Sequence, residues 1–181
     1  MFESGRFIQD CCNALQESKA HAAVKEIVAR AVSFPGEVLS ALGEPQLGGL
    51  NVLYRSDRLT ILNVLWGPGM SLYPHDHGMW AVIGIYSGRE DNTFYRRNEN
   101  GLAAHGAKTL EIKDTIPLGE AVIHAVTNPL DRITAAIHVY GGDFFAVPRR
   151  EWDPQTLEER AFDLERAKRV FEEANRRLRT G

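Results

Sequence analysis

Two histidines one residue apart, His75 and His77, sit in the segment Pro74-His75-Asp76-His77-Gly78, shortly after the turn residues Gly67-Pro68-Gly69. In an extended chain alternate side chains share a face, so both imidazoles are able to point into a barrel mouth as a chelating pair. A third, His124, is flanked by the apolar residues Ala121, Val122, Ile123, Ala125 and Val126. An imidazole turned inward there needs a firm hydrogen bond or a metal to offset its desolvation. Three neutral nitrogen donors with no obligatory carboxylate suit iron, copper, nickel or zinc, with positions left open for a substrate. The bland alternatives are a polar turn with two exposed imidazoles and a hydrogen-bonded core histidine. The presence of all three favours the metal.

Such a site needs a rigid scaffold, and the pattern of the chain supplies one. Between about 50 and 150, short runs rich in β-branched and aromatic residues are bounded by Gly, Pro, Asn and Asp. Candidate strands are 52–54, 59–66, 80–86, 93–97, 108–112, 121–125, 133–140 and 144–147. No helical crossover separates them, which points to a mainly β, antiparallel sandwich or barrel. Before it, Phe7, Ile8, Leu15, Ala22, Ala23, Ile27 and Val28 recur at helical spacing, giving one or two amphipathic helices, with room for a short one around 38–42. After it, Asp153-Pro154 reads as a helix start, and Leu157, Leu164, Phe171 and Leu178 repeat every seven residues beside Ala161, Ala167 and Ala174. The expectation is one domain over 1–181: a helical region about 5–48, a barrel about 50–150 and a helix about 153–179 packed on the barrel or on a second subunit.

Composition narrows the partners. With 181 residues, 44% hydrophobic and 25% charged, the chain has the make-up of an ordinary globular domain rather than a disordered or fibrous one. A net charge of -3 offers no broad basic field for nucleic acid or anionic lipid. No apolar run reaches the length of a membrane span, and the first ten residues lack the pattern of a signal peptide. The two cysteines, Cys11 and Cys12, are adjacent on a helical stretch and diverge too far for a mutual disulfide. A reducing, cytoplasmic setting is expected, with the protein a monomer or homodimer.

The spacing Gly69, His75, His77, Gly88 resembles the first cupin motif, and Pro117-Leu118-Gly119 leading to His124 and Asn128 resembles the second. The chain is therefore similar to cupins, whose fold is the double-stranded β-helix or jelly-roll barrel. Where the first motif has a glutamate, this chain has Ala81 and Val82. A three-histidine site without that glutamate is the pattern of the thiol dioxygenases, which include cysteine dioxygenase and 3-mercaptopropionate dioxygenase. Ala136-Ile137-His138-Val139-Tyr140 is similar to their Ser-x-His-x-Tyr motif, with alanine at the serine position. Phe144 to Arg150 resembles the segment that carries a carboxylate-binding arginine, with Arg149 the matching residue, and Arg55 matches the arginine used in the animal-type enzymes. No cysteine follows the ligand pair to crosslink with Tyr140.

The resemblance implies Fe(II), with Ni or Zn as other divalent occupants, on His75, His77 and His124. It implies a small carboxylated thiol and O2 as reactants, and a sulfinic acid as product. Tyr140 and His138 would orient the reactants, and Arg149 or Arg55 would hold the carboxylate. Alternatives are a metal-dependent cupin enzyme acting on a molecule without sulfur, and a cupin that binds a small ligand without turnover. His21 and His105 are expected at the surface. Trp66 and Trp80 are expected in the core or pocket wall, and the polar run 89–97 as a solvated hairpin that could bring Tyr95 or Arg97 to the pocket.

Overall fold

Seven consecutive buried residues, Thr60–Trp66, form a strand that is covered on both faces. Period-two alternation sorts them. Leu62, Val64 and Trp66 enter the interior of the barrel, whereas Ile61 and Leu65 pack outward against helices. In the computed structural model, which describes residues 1–99 and 101–180, the elements run α1 (Ser4–Ala14), α2 (Ala20–Val32), α3 (Pro35–Leu42), β1 (Gly49–Arg55), β2 (Thr60–Trp66), β3 (Ser71–His75), β4 (Ala81–Ser87), β5 (Arg89–Asn98), β6 (Gly101–Glu111), β7 (Thr115–Leu118), β8 (Ile123–Thr127), β9 (Thr134–Tyr140), β10 (Arg150–Trp152), β11 (Glu159–Ala161) and α4 (Leu164–Thr180). The strands make two sheets, ordered β1-β2-β9-β4-β7 and β11-β10-β3-β8-β5-β6, and every pairing is antiparallel. From β2 to β10 the chain changes sheet at almost every step, which is the winding of a jelly-roll double-stranded β-helix.

The N-terminal helices cover the outside of the five-stranded sheet. Val24, Val28 and Val32, one face of α2, are fully buried there beside Val82, Tyr86, Ala135, Ile137 and Val139. Each fully buried valine contributes at most about 1.5–3 kcal/mol. A Cβ on Gly84 would stand 2.5 Å from Val28, so glycine is what lets α2 lie this close to β4. Because the outward residues of β9 serve this layer, its alternate residues Ala136, His138 and Tyr140 must face the barrel interior.

At the other end of the chain, the structure departs from the expected elements. The last helix starts at Leu164, not near 153. Asp153 accepts hydrogen bonds from the backbone N–H groups of Gln155 and Thr156 and closes a turn, after which β11 pairs back on β10. The helix is capped instead by Asp163, whose Oδ1 accepts from the N–H groups of Glu165 and Arg166. Ala167, Phe171 and Ala174 then pack α4 on the barrel, with Phe171 stacked on Trp66 at 5.4 Å. Ala174 presses on Gly67, where a Cβ would approach to 2.6 Å. The segment 144–147 is a turn and not a strand, and β3, β7, β10 and β11 are strands that composition did not reveal. Among the described residues no helix is long and apolar enough to cross a membrane.

Candidate metal centre

β3 and β8 lie side by side in the six-stranded sheet, and their register sets His75 directly opposite His124. His77 follows two residues beyond the end of β3. The three rings converge, with centroid separations of 4.7 Å for His75 and His124, 4.9 Å for His77 and His124, and 5.2 Å for His75 and His77. One nitrogen from each lies within 4.8 Å of the others. All three side chains are buried, and that burial is the main force lowering their pKa values: His75 is pushed down to about 4, and His77 and His124 are held well below the usual range. The imidazoles are neutral at pH 7, the state in which they ligate metals.

Hydrogen bonds decide which nitrogen each ring presents. His75 Nδ1 donates to the Tyr73 carbonyl at 3.0 Å, and His124 Nδ1 donates to Asn92 Oδ1 at 2.7 Å, leaving both Nε2 atoms as lone pairs. His124 Nε2 and His77 Nε2 face each other at 3.2 Å, while His77 Nδ1 is buried without a partner among the described residues. Whichever nitrogen of His77 carries the proton, one buried nitrogen of that ring goes unsatisfied. With the His77 proton on Nδ1, the two Nε2 lone pairs face each other, and a cation shared by the Nε2 atoms relieves that repulsion. Two imidazoles bound at about 2.1 Å to one ion, at an angle between about 90° and 109°, hold their nitrogens roughly 3.0–3.4 Å apart, which brackets the observed separation. The residues present fit a metal ion.

The same cavity is lined by His138, Tyr140, Trp66, Phe144, Phe162, Leu164 and Phe171. Its free volume is about 30 Å³, enough for no more than a couple of waters. His138 Nδ1 lies 2.9 Å from the Tyr140 hydroxyl, and the Tyr140 ring stands edge-on to His77 at 5.2 Å. Burial raises the Tyr140 pKa, keeping the phenol protonated.

The two arginines have different fates. Arg55 forms a two-pronged ion pair with Asp143, both contacts at 2.9 Å, and is half exposed outside the cavity. Arg149 is buried with its guanidinium between the rings of Phe144 at 3.9 Å and Phe162 at 4.1 Å, and it lines not the histidine cavity but an adjoining pocket that shares those two rings. It donates to the Phe144 carbonyl, its Nε has no partner, and among the described residues no carboxylate lies within ion-pair distance of it. Desolvation lowers its pKa to about 10, so it remains a cation at neutral pH.

Of the other residues singled out in the sequence, Trp66 walls the cavity, whereas Trp80 lies outside it and packs on His21. His105 is exposed on β6, and neither Tyr95 nor Arg97 lines the cavity. The run 89–97 is not wholly solvated: Glu90 and Asn92 are buried inside the barrel, where Glu90 accepts from Trp66 and Asn92. The signal was their spacing, since Glu90, Asn92 and Phe94 alternate with Arg89, Asp91 and Thr93.

No family model matches the sequence. Among solved structures, the chain is similar to an RmlC-like cupin family protein from Methanocaldococcus jannaschii, at 11% identity over 56% of this chain and 86% of that one, with a TM-score of 0.47. It is also similar to a cupin superfamily protein from Desulfitobacterium hafniense, at 19% identity over 58% and 88% of the two chains and a TM-score of 0.46. A third is the DMSP lyase DddQ from Ruegeria pomeroyi, at 20% identity over 60% and 53% and a TM-score of 0.47.

Proposed function

We propose that the chain is a mononuclear iron enzyme that oxidises a small carboxylated thiol to its sulfinic acid. The observation that carries this reading is the convergence, in one buried cavity, of one imidazole nitrogen from each of three histidines, with no carboxylate among the candidate ligands. Beside it stand the Tyr140–His138 pair and a buried arginine without an acidic partner. When bound, ferrous iron supplies a centre at which a thiolate and dioxygen react, with both oxygen atoms entering the thiol and all four electrons coming from sulfur.

The protein's part is to bind, orient and exclude water. His75, His77 and His124 hold the ion, with Tyr73 and Asn92 aiming two of the rings. Arg149 is a cation already stripped of water and clamped between two rings, so its guanidinium is prepared to receive a carboxylate in a two-pronged pair. Tyr140, tied to His138, presents its hydroxyl group at the cavity wall to hold a polar atom of the substrate. The apolar lining from Phe144, Phe162 and Leu164 keeps bulk water from the reacting sulfur.

Oxygen uptake by the iron-loaded protein tests this directly, with cysteine, 3-mercaptopropionate and cysteamine as substrates and product mass as the second readout. The expected result is uptake with the two carboxylated thiols, a gain of two oxygens per molecule, little turnover of cysteamine, and loss of activity in His124→Ala. Tightly bound iron with no uptake on any of the three would overturn the reading.

A further inference from the structure

Glu90 is a fully buried carboxylate in the barrel wall, and the function proposed above makes no use of it. Both of its oxygens are engaged. Trp66 Nε1 donates to Oε2 at 2.8 Å, and Asn92 Nδ2 donates to Oε1 at 2.9 Å. On the Trp66 side, His138 Nε2 lies 3.7 Å from Oε2 and has no hydrogen-bond partner among the described residues. The carboxylate thus sits between two arms of the site. One runs through Asn92 to the candidate ligand His124, the other through His138 to Tyr140.

We propose that Glu90 is a positioning residue that fixes the proton on Nδ1 of His124 and on Nε2 of His138 at the same time. Glu90 meets an N–H donor at each oxygen, so it acts as an acceptor on both sides. Facing it, the Asn92 amide has to turn its NH2 group toward Glu90, which leaves Oδ1 aimed at His124. Oδ1 is an acceptor, so His124 carries its proton on Nδ1, and Nε2 is left bare toward His75 and His77. In the second arm the acceptor oxygen Oε2 faces His138 Nε2 at 3.7 Å and favours the proton there, so Nδ1 accepts from the Tyr140 hydroxyl. Tyr140 therefore spends its one proton on His138 and offers oxygen lone pairs to the cavity. A glutamine at position 90 cannot do the same, because its NH2 group would face the N–H of Trp66 or the NH2 of Asn92.

The first arm rests on the metal reading of the site, and the second rests on the geometry alone. The test uses imidazole nitrogen-15 NMR of the metal-free protein together with titration by cobalt(II), read from its visible absorption. In the wild-type protein, His124 is expected as the Nδ1–H form and His138 as the Nε2–H form. Glu90→Gln should move the His138 proton to Nδ1 and weaken cobalt binding by about 10- to 100-fold. Asn92→Leu should weaken cobalt binding to a similar degree while leaving His138 on Nε2, a split that general loosening of the barrel does not produce.

A wild-type His138 carrying its proton on Nδ1 overturns the proposal. So does a folded Glu90→Gln protein with an unchanged tautomer and unchanged affinity. Should Glu90→Gln fail to fold, the wild-type tautomers and Asn92→Leu decide the matter. Wild-type protein that binds no cobalt defeats the metal reading and the first arm with it, and the His138 tautomer then decides the second arm.

Discussion

Burial of three neutral imidazoles makes a single pH window decisive for the metal-free protein. Desolvation depresses the pKa of His75 to about 4 and holds His77 and His124 well below the ordinary 6.5. Between those limits the unfolded chain binds protons that the folded chain does not, so stability falls as the pH drops from about 6.5 toward 4. Each histidine contributes up to about 1.4 kcal/mol per pH unit to that slope. Urea midpoints measured across the window should decline steeply for the wild type and much less for a variant with all three histidines changed to glutamine. Equal slopes would show that the imidazoles are not buried as described. A second residue-level expectation concerns Cys11, which is fully buried and whose thiol burial pushes up to about 12. Iodoacetamide at mildly alkaline pH should leave it unlabelled in the native protein while modifying its partly exposed neighbour Cys12, with peptide mass mapping as the readout. Rapid labelling of Cys11 would mean that α1 is not docked.

At the scale of elements, Asn128 joins two turns that the barrel needs. Its Nδ2 donates to the carbonyls of Trp66, Gly67 and Arg132, and its Oδ1 accepts from Leu130 N–H and the Thr134 hydroxyl. Asn128→Ala strands these buried groups and is expected to cost about 2–3 kcal/mol, visible as a lower urea midpoint with an unchanged slope. Legibility in the sequence varied at this same scale. The interior strands declared themselves because β2, β4 and β9 are long, β-branched and free of charge, whereas the candidate ligands His75, His77 and His124 were legible from their spacing and, for His124, from its apolar neighbours on β8. Glu90 and Asn92 did not, since a run as charged as 89–97 has the composition of a solvated hairpin, and only its alternation separates the inward residues from the outward ones. Asp153-Pro154 misled for another reason: an acceptor followed by a ring with a preset φ opens a turn as readily as a helix, and here the turn prevails because β11 pairs with β10. Arg55 and Arg149 were indistinguishable by type. Only the fold separates an arginine paired with Asp143 from one buried between two rings.

For the whole molecule, the barrel is roofed by its own C-terminal segment. Phe162, Leu164, Ala167 and Phe171 close over the histidines, and the segment is tied down by Glu151, a buried carboxylate that accepts from Arg160 at 2.7 Å, from Arg166 at 3.2 Å and from the backbone of Asp163 at 3.1 Å. The free space beneath that roof is about 30 Å³, so the proposed thiol substrate, like a chelator, enters only when side chains of the roof move. For an ion held by the three histidines, exchange is expected to be governed by the roof rather than by the strength of whatever competes for the metal outside. Stripping of bound cobalt by a chelator should reach a limiting rate that more chelator does not increase, and Glu151→Gln should raise that limit by loosening the segment. A rate that keeps climbing in proportion to chelator would mean that the ion is reached from solvent directly. If the limit holds, the protein behaves as a kinetic trap, and it is the breathing of the final helix that sets how long a captured ion stays.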